Sequence, residues 1–165
     1  ARTIDRELKH MSSVIEESSK HVGTSFIEIY QNCNIFNDGA FSDLTDKETK
    51  KETQLALTHG EPMVFGADSS KILKLDGSKF KILDLEEGYS LDDATKHNHN
   101  DKNLSFLLSE MTMDEKLPTP IGILYKEDKA TYEDMMVSQI NSAKEKMGKA
   151  DLQKIISGTN TWEVS

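Results

Sequence analysis

One short apolar run, Phe26-Ile27-Glu28-Ile29-Tyr30, restricts the fold of this chain more than any other stretch. It is rich in β-branched and aromatic residues and follows Gly23, which reads as a short buried strand. The composition then switches to Gln31, Asn32, Cys33, Asn34, Asn37, Asp38 and Gly39, a polar loop that holds the only cysteine. Open α/β sheets bind ligands beyond the carboxyl ends of their strands, so a thiol leaving a strand is the first place to look for chemistry. Ahead of the strand, Ile4, Leu8, Met11 and Ile15 recur at helical spacing, and Gly23 lies just past the pattern. The helical pattern starts at the first residues and leaves no earlier strand for Phe26–Tyr30 to pair with. A parallel-type strand without neighbours has unpaired backbone groups, so the expectation is the C-terminal part of a longer polypeptide.

The remaining segments are short and closely punctuated. Residues 43–57, DLTDKETKKETQLAL, are charged except at the ends and read as a solvated helix or a mobile segment. His59-Gly60-Glu61-Pro62 is a break, and Met63-Val64-Phe65 is a brief apolar piece ended by Gly66. Asp76-Gly77 between two alternating runs predicts a hairpin that pairs Ile72–Leu75 with Phe80–Leu85. Residues 86–103 lack periodicity and read as a long surface loop. Leu104–Met111 reads as a helix capped by Asp101 or Asn103. Pro118-Thr119-Pro120 stops it, and Ile121–Tyr125 is a second strand candidate. Tyr132, Met135, Met136, Ile140, Ala143 and Met147 mark a second amphipathic helix, and a last turn or two around Leu152, Ile155 and Ile156 ends at Gly158. The reading is a mixed α/β chain.

With 165 residues the chain suits one domain with a real core. A net charge of -9 argues against nucleic acid and against an anionic membrane surface. No run approaches the ~18 apolar residues of a spanning helix, and nothing at the start resembles a signal peptide. A single cysteine forms no internal disulfide and fits a reducing compartment, so the expectation is cytoplasmic.

Several chemistries have no motif here: GxxxxGK[ST], GxGxxG, GxSxG, HExxH and CxxC are all absent from the sequence. His97 and His99 form an HxH pair able to touch a metal from an extended segment, yet no third ligand lies nearby, and two exposed loop histidines are the plainer reading. Cys33 admits three readings. It is an inert, buried strand-end residue; or a nucleophile with His59 as its base; or a metal or cluster ligand whose partners this chain lacks.

Residues 23–41, GTSFIEIYQNCNIFNDGAF, resemble the segment that closes the thiamine-diphosphate domain in the β subunit of 2-oxoacid:ferredoxin oxidoreductases, most closely the bacterial 2-oxoglutarate type. HGEPMVFG, the LDG hairpin, NLSFLLSEM and TPIGILY fit the C-terminal region of that subunit in the same order. The resemblance implies a doubly wound α/β fold, of which residues 1–41 are the end, with helix, last parallel strand and cysteine loop. Residues 42–165 would then be an α+β extension with a hairpin and helices. It implies oxidative decarboxylation of a 2-oxoacid to an acyl-CoA, with thiamine diphosphate, Mg2+ and one [4Fe–4S] cluster in the full-length subunit. Electrons pass singly through the cluster to ferredoxin, and an α subunit completes the enzyme. In cluster-carrying members a cysteine at the start of the post-strand loop is the last ligand; here that is Cys33.

The departures are specific. The family's GDG…N motif and its CxxC are missing, and Asp38-Gly39 and Asp76-Gly77 lack the required flanking glycine. Neither cofactor site is complete within this sequence, so the chain alone is expected to hold neither cofactor and to be inactive. The rival expectations are a stand-alone interaction module with an inert Cys33, and a small thiol enzyme using Cys33 with His59.

Overall fold

The computed structural model describes residues 1–164. The chain divides into two units, Ala1–Asp128 and Lys129–Ser165.

The first unit opens with a β-α-β run: β1 (Arg2–Ile4), α1 (Leu8–Lys20) and β2 (Glu28–Tyr30). Two one-turn helices, α2 (Ser42–Thr45) and α3 (Lys50–Thr53), lead into β3 (Gln54–Leu57). Next come β4 (Val64–Phe65), β5 (Lys71–Asp76) and β6 (Lys79–Asp84), then α4 (Lys102–Glu110) and β7 (Thr119–Gly122). One sheet has the strand order β2-β1-β7-β3 and the other β4-β5-β6. In the first, β1 and β2 are parallel, β3 and β7 are parallel, and β1 meets β7 antiparallel. The second sheet is antiparallel throughout. The architecture is therefore mixed α/β, with both parallel and antiparallel pairing.

The structure corrects the reading of the first residues. Ile4 belongs to β1, not to the helix, and it is fully buried. Residues 2–4 supply the partner that Phe26–Tyr30 was expected to lack: Arg2, Thr3 and Ile4 pair with Glu28, Ile29 and Tyr30. A three-residue strand is too short to show a period, and Ile4 happens to fall four residues before Leu8. The Phe26–Tyr30 strand is also not the buried element expected. It narrows to Glu28–Tyr30, lies at the edge of its sheet, and leaves Phe26 81% exposed.

Three further expectations change. Residues 43–57 are neither one helix nor a mobile segment, because Gln54–Leu57 forms β3 and buries Leu55. Residues 86–103 are not merely a surface loop, since Ala94 and His97 are buried. The second strand covers Thr119–Gly122 instead of Ile121–Tyr125. Pro120, which has no N–H, is tolerated because β1 meets β7 only at Arg2–Gly122, leaving that flank of β7 without a ladder beside the proline. Gly122 then ends the strand at φ +119°, where a Cβ would lie 2.9 Å from the Leu57 carbonyl oxygen. Beyond it, the Ile123 and Leu124 carbonyls bond to His97 and Ser105 side chains rather than to a strand.

Elsewhere sequence and structure agree. The hairpin forms with Ile72 opposite Leu83 and Leu75 opposite Phe80, and Gly77 takes φ +63° in the two-residue loop. Asp101, not Asn103, caps α4, accepting from the Asn103 and Leu104 N–H groups. The main core gathers Leu55, Phe65, Leu73, Leu104 and Leu108 from β3, β4, β5 and α4. A smaller one joins Ile4, Leu44 and Ile121, with Tyr30 and Phe41 against it.

In the second unit, α5 (Tyr132–Met147) starts at a capping box of Thr131 and Asp134, and α6 (Leu152–Ser157) is capped by Asp151. Gly148 and Gly158 close the two helices at positive φ. Neither helix has a buried residue. Among the described residues no helix is long and apolar enough to cross a membrane.

Candidate functional site

The loop leaving the carboxyl end of β2 is built by its own amide side chains. Asn32 Nδ2 donates to Asn34 Oδ1 at 2.7 Å and to Asp38 Oδ1 at 2.9 Å, while Asn32 Oδ1 accepts from the Gly39 N–H at 2.8 Å. Gly39 takes φ +78°, which suits a residue without Cβ. The Cys33 carbonyl accepts from the Asn37 N–H at 2.9 Å, pulling residues 33–37 into a tight turn. Short polar side chains that bond to nearby backbone favour such turns.

Backbone N–H groups of Phe36 and Ile35, and more weakly Asn37, act on the Cys33 thiol and hold its pKa below the ordinary 9.0, against the opposing effect of desolvation. Cys33 is free and only partly buried, so it is not the buried strand-end residue of the first reading. Around it the loop is apolar and open, with Ile35 83% and Phe36 89% exposed.

The base of the site is braced by β1. Arg2 is buried, and its Nε donates to Glu28 Oε2 at 2.7 Å across the β1–β2 pair. The guanidinium lies 5.4 Å over the Tyr30 ring, which in turn stacks on Phe41 with centroids 4.6 Å apart. Two ends of the cysteine loop are thus tied to one buried cation.

His59, the candidate base for Cys33, is engaged elsewhere. Its ring stacks on His99 with centroids 3.9 Å apart, and its Nδ1 accepts from the His99 N–H at 3.4 Å. The groups acting on the thiol are backbone N–H groups, not an imidazole. His97 and His99 are not two exposed loop histidines: His97 is 1% exposed, with Nε2 bonded to the Ile123 carbonyl at 2.8 Å, and His99 is partly buried. Among the described residues no group of three or more His, Cys, Asp or Glu is placed to hold a metal ion.

The donor set fits one of the two implied cofactors in part. A [4Fe–4S] cluster takes four thiolates, and N–H groups directed at a ligand sulfur are a common part of its surroundings. Cys33 with its three N–H groups suits one such corner, and the sequence has no other cysteine. Thiamine diphosphate and its cation find no matching set, because the carboxylate and amides of Asp38, Asn32 and Asn34 are bonded to each other.

Sequence reasoning singled out Cys33 and its polar loop, but not Arg2 or the bonds by which Asn32 and Asp38 shape that loop. The Asn/Asp/Gly spacing was a usable signal for the last two; nothing local marks Arg2, whose role depends on a strand pairing 26 residues away.

With this geometry in place, comparison with known proteins gives a class and one particular relative. The chain resembles the C-terminal half of the β subunit of 2-oxoacid oxidoreductases of the 2-oxoglutarate type. The relative is the 2-oxoglutarate oxidoreductase subunit KorB of Mycobacterium tuberculosis (strain ATCC 25618 / H37Rv), to whose C-terminal part this chain is 30% identical over 167 residues. The match covers 99% of this chain and 44% of that protein, so the chain spans less than half of its relative's length. No protein-family profile matches the chain, and no solved structure does.

Proposed function

We propose that this chain acts as the C-terminal part of the β subunit of a 2-oxoglutarate:ferredoxin oxidoreductase. The observation that carries the reading is the similarity to subunit KorB along 99% of the chain. In this reading residues 1–41 end the thiamine-diphosphate-binding, doubly wound domain, and residues 42–165 are the extension that packs on the α subunit. The enzyme cleaves a 2-oxoacid, passes the acyl group to coenzyme A and delivers electrons to ferredoxin in the cytoplasm.

Cys33 is the residue of this chain with a direct part in that chemistry, as the last thiolate of a [4Fe–4S] cluster. The backbone N–H groups acting on its thiol favour the ionised form that metal ligation needs. Thiamine diphosphate, Mg2+ and the other three thiolates belong to a preceding segment, which also covers the open edge of β2. Exposed Phe26, Ile35 and Phe36 beside that edge are the kind of surface such a segment would bury.

The test is the coding sequence upstream of Ala1. The reading expects it to continue in frame with a CxxC pair, one further cysteine and a GDG…N motif. An in-frame stop codon immediately upstream overturns it.

A further inference from the structure

Away from the cysteine loop, a cavity of about 300 Å3 opens at the other end of the sheet, where β3 and β7 finish. His10 of α1, His59 and His99 line it, together with Ser13, Glu17 and Thr58. Nothing in the proposed function uses these residues. Three imidazoles on one small cavity, drawn from three separate parts of the chain, are not demanded by the packing of the two cores.

The hydrogen bonds engage Nδ1 of two of these rings and leave Nε2 as the nitrogen for a ligand. His59 Nδ1 accepts from the His99 N–H, so in the neutral ring the proton sits on Nε2. His10 Nδ1 is 2.8 Å from the hydroxyl of fully buried Thr3. With that hydroxyl donating, His10 also carries its proton on Nε2. Both rings then offer N–H donors, and the Ser13 and Thr58 residues add hydroxyl groups to the lining. The acidic lining residue is already paired: Glu17 accepts from Lys20 Nζ at 3.2 Å. With the Glu17 charge offset by Lys20, the two Nε2–H groups are left as donors toward the cavity.

We propose that this cavity is a proton-linked binding site for a small oxyanion, a carboxylate or phosphate group held by the Nε2–H groups of His10 and His59 and by His99. A ligand of a few heavy atoms suits the volume, in which a water takes ~30 Å3. The proton linkage follows from the crowding of the rings. A charge on His99 is disfavoured by burial and by His59, His97 and Lys126, and favoured by the Asp128 carboxylate. Burial likewise disfavours a charge on His10, with Glu7 opposing. An anion at the cavity supplies the missing counter-charge, so binding takes up a proton and tightens as pH falls.

The test is a titration of the 165-residue chain with inorganic phosphate and, separately, succinate, followed by the imidazole resonances of all five histidines at pH 6.0 and pH 7.5. Saturable shifts at His10, His59 and His99, with His21 unmoved, are expected. Affinity should rise by roughly 30-fold between the two pH values, as uptake of about one proton over that interval requires. Preference for one of the two probes identifies the oxyanion class within the proposal. His59→Gln should abolish saturation, whereas His21→Gln should leave it intact. The proposal is overturned if no saturable shift occurs in the wild-type chain at pH 6.0, if affinity does not change with pH, or if His21 shifts as strongly as the cavity rings. The first three measurements need no variant to fold.

Discussion

Arg2 carries more of this structure than its place at the second residue suggests. Its guanidinium joins Glu28, lies over Tyr30 and donates to the Pro120 carbonyl at 3.4 Å, touching β2 and β7 at once. Arg2→Met keeps the apolar stem but removes the charge from a buried position and leaves the half-exposed Glu28 carboxylate unpaired. A loss of about 2 kcal/mol in urea unfolding is expected, less than for a fully buried pair because water reaches Glu28. The histidines act at the same scale. Burial is the main cause holding His97, His10 and His99 below their ordinary 6.5. An imidazole with a depressed folded pKa binds fewer protons folded than unfolded, so its contribution is full above 6.5 and is lost as pH falls below it. Carboxylates such as Glu7, held down from 4.5 chiefly by its bond to Lys50, give way only in a lower range. The urea midpoint should therefore fall between pH 7 and pH 5.5, before carboxylates titrate. A flat midpoint across that interval contradicts this account.

Elements with a period or a turn signal were legible in the sequence, and those defined by distant pairing were not. The β5–β6 hairpin, α4, α5 and α6 each declare themselves through alternation, caps or helical spacing over six or more residues. By contrast β1 and β2 have three residues each and β3 has four, too few to show a period, and their identity comes from one another. Gly122 illustrates a signal visible only in three dimensions. Gly122→Ala would place a Cβ 2.9 Å from the Leu57 oxygen at φ +119°, and a loss of about 2–3 kcal/mol is expected, measured by thermal or urea unfolding. The cysteine loop was legible as a loop, whereas the N–H groups acting on its thiol were not. Their effect is measurable: the pH midpoint of Cys33 alkylation by iodoacetamide should lie below that of a free thiol. Asn32→Ala, which releases both Asp38 and Gly39, should move the midpoint back toward the ordinary value.

Across the whole molecule, the small core and the half-open sheet make sense together if this chain is one part of a larger subunit. The β2 edge carries exposed Phe26 and Ile29, and the loop beyond it exposes Ile35 and Phe36. The measurement that bears most directly on the proposed role is 2-oxoglutarate- and coenzyme A-dependent reduction of ferredoxin by the whole β subunit assembled with its α partner, with and without Cys33→Ala. The account predicts turnover in the wild-type assembly and a loss of at least ~100-fold in a folded Cys33→Ala assembly, with its iron content reduced. Undiminished turnover and iron in Cys33→Ala, or no turnover by a cofactor-loaded wild-type assembly, would contradict it.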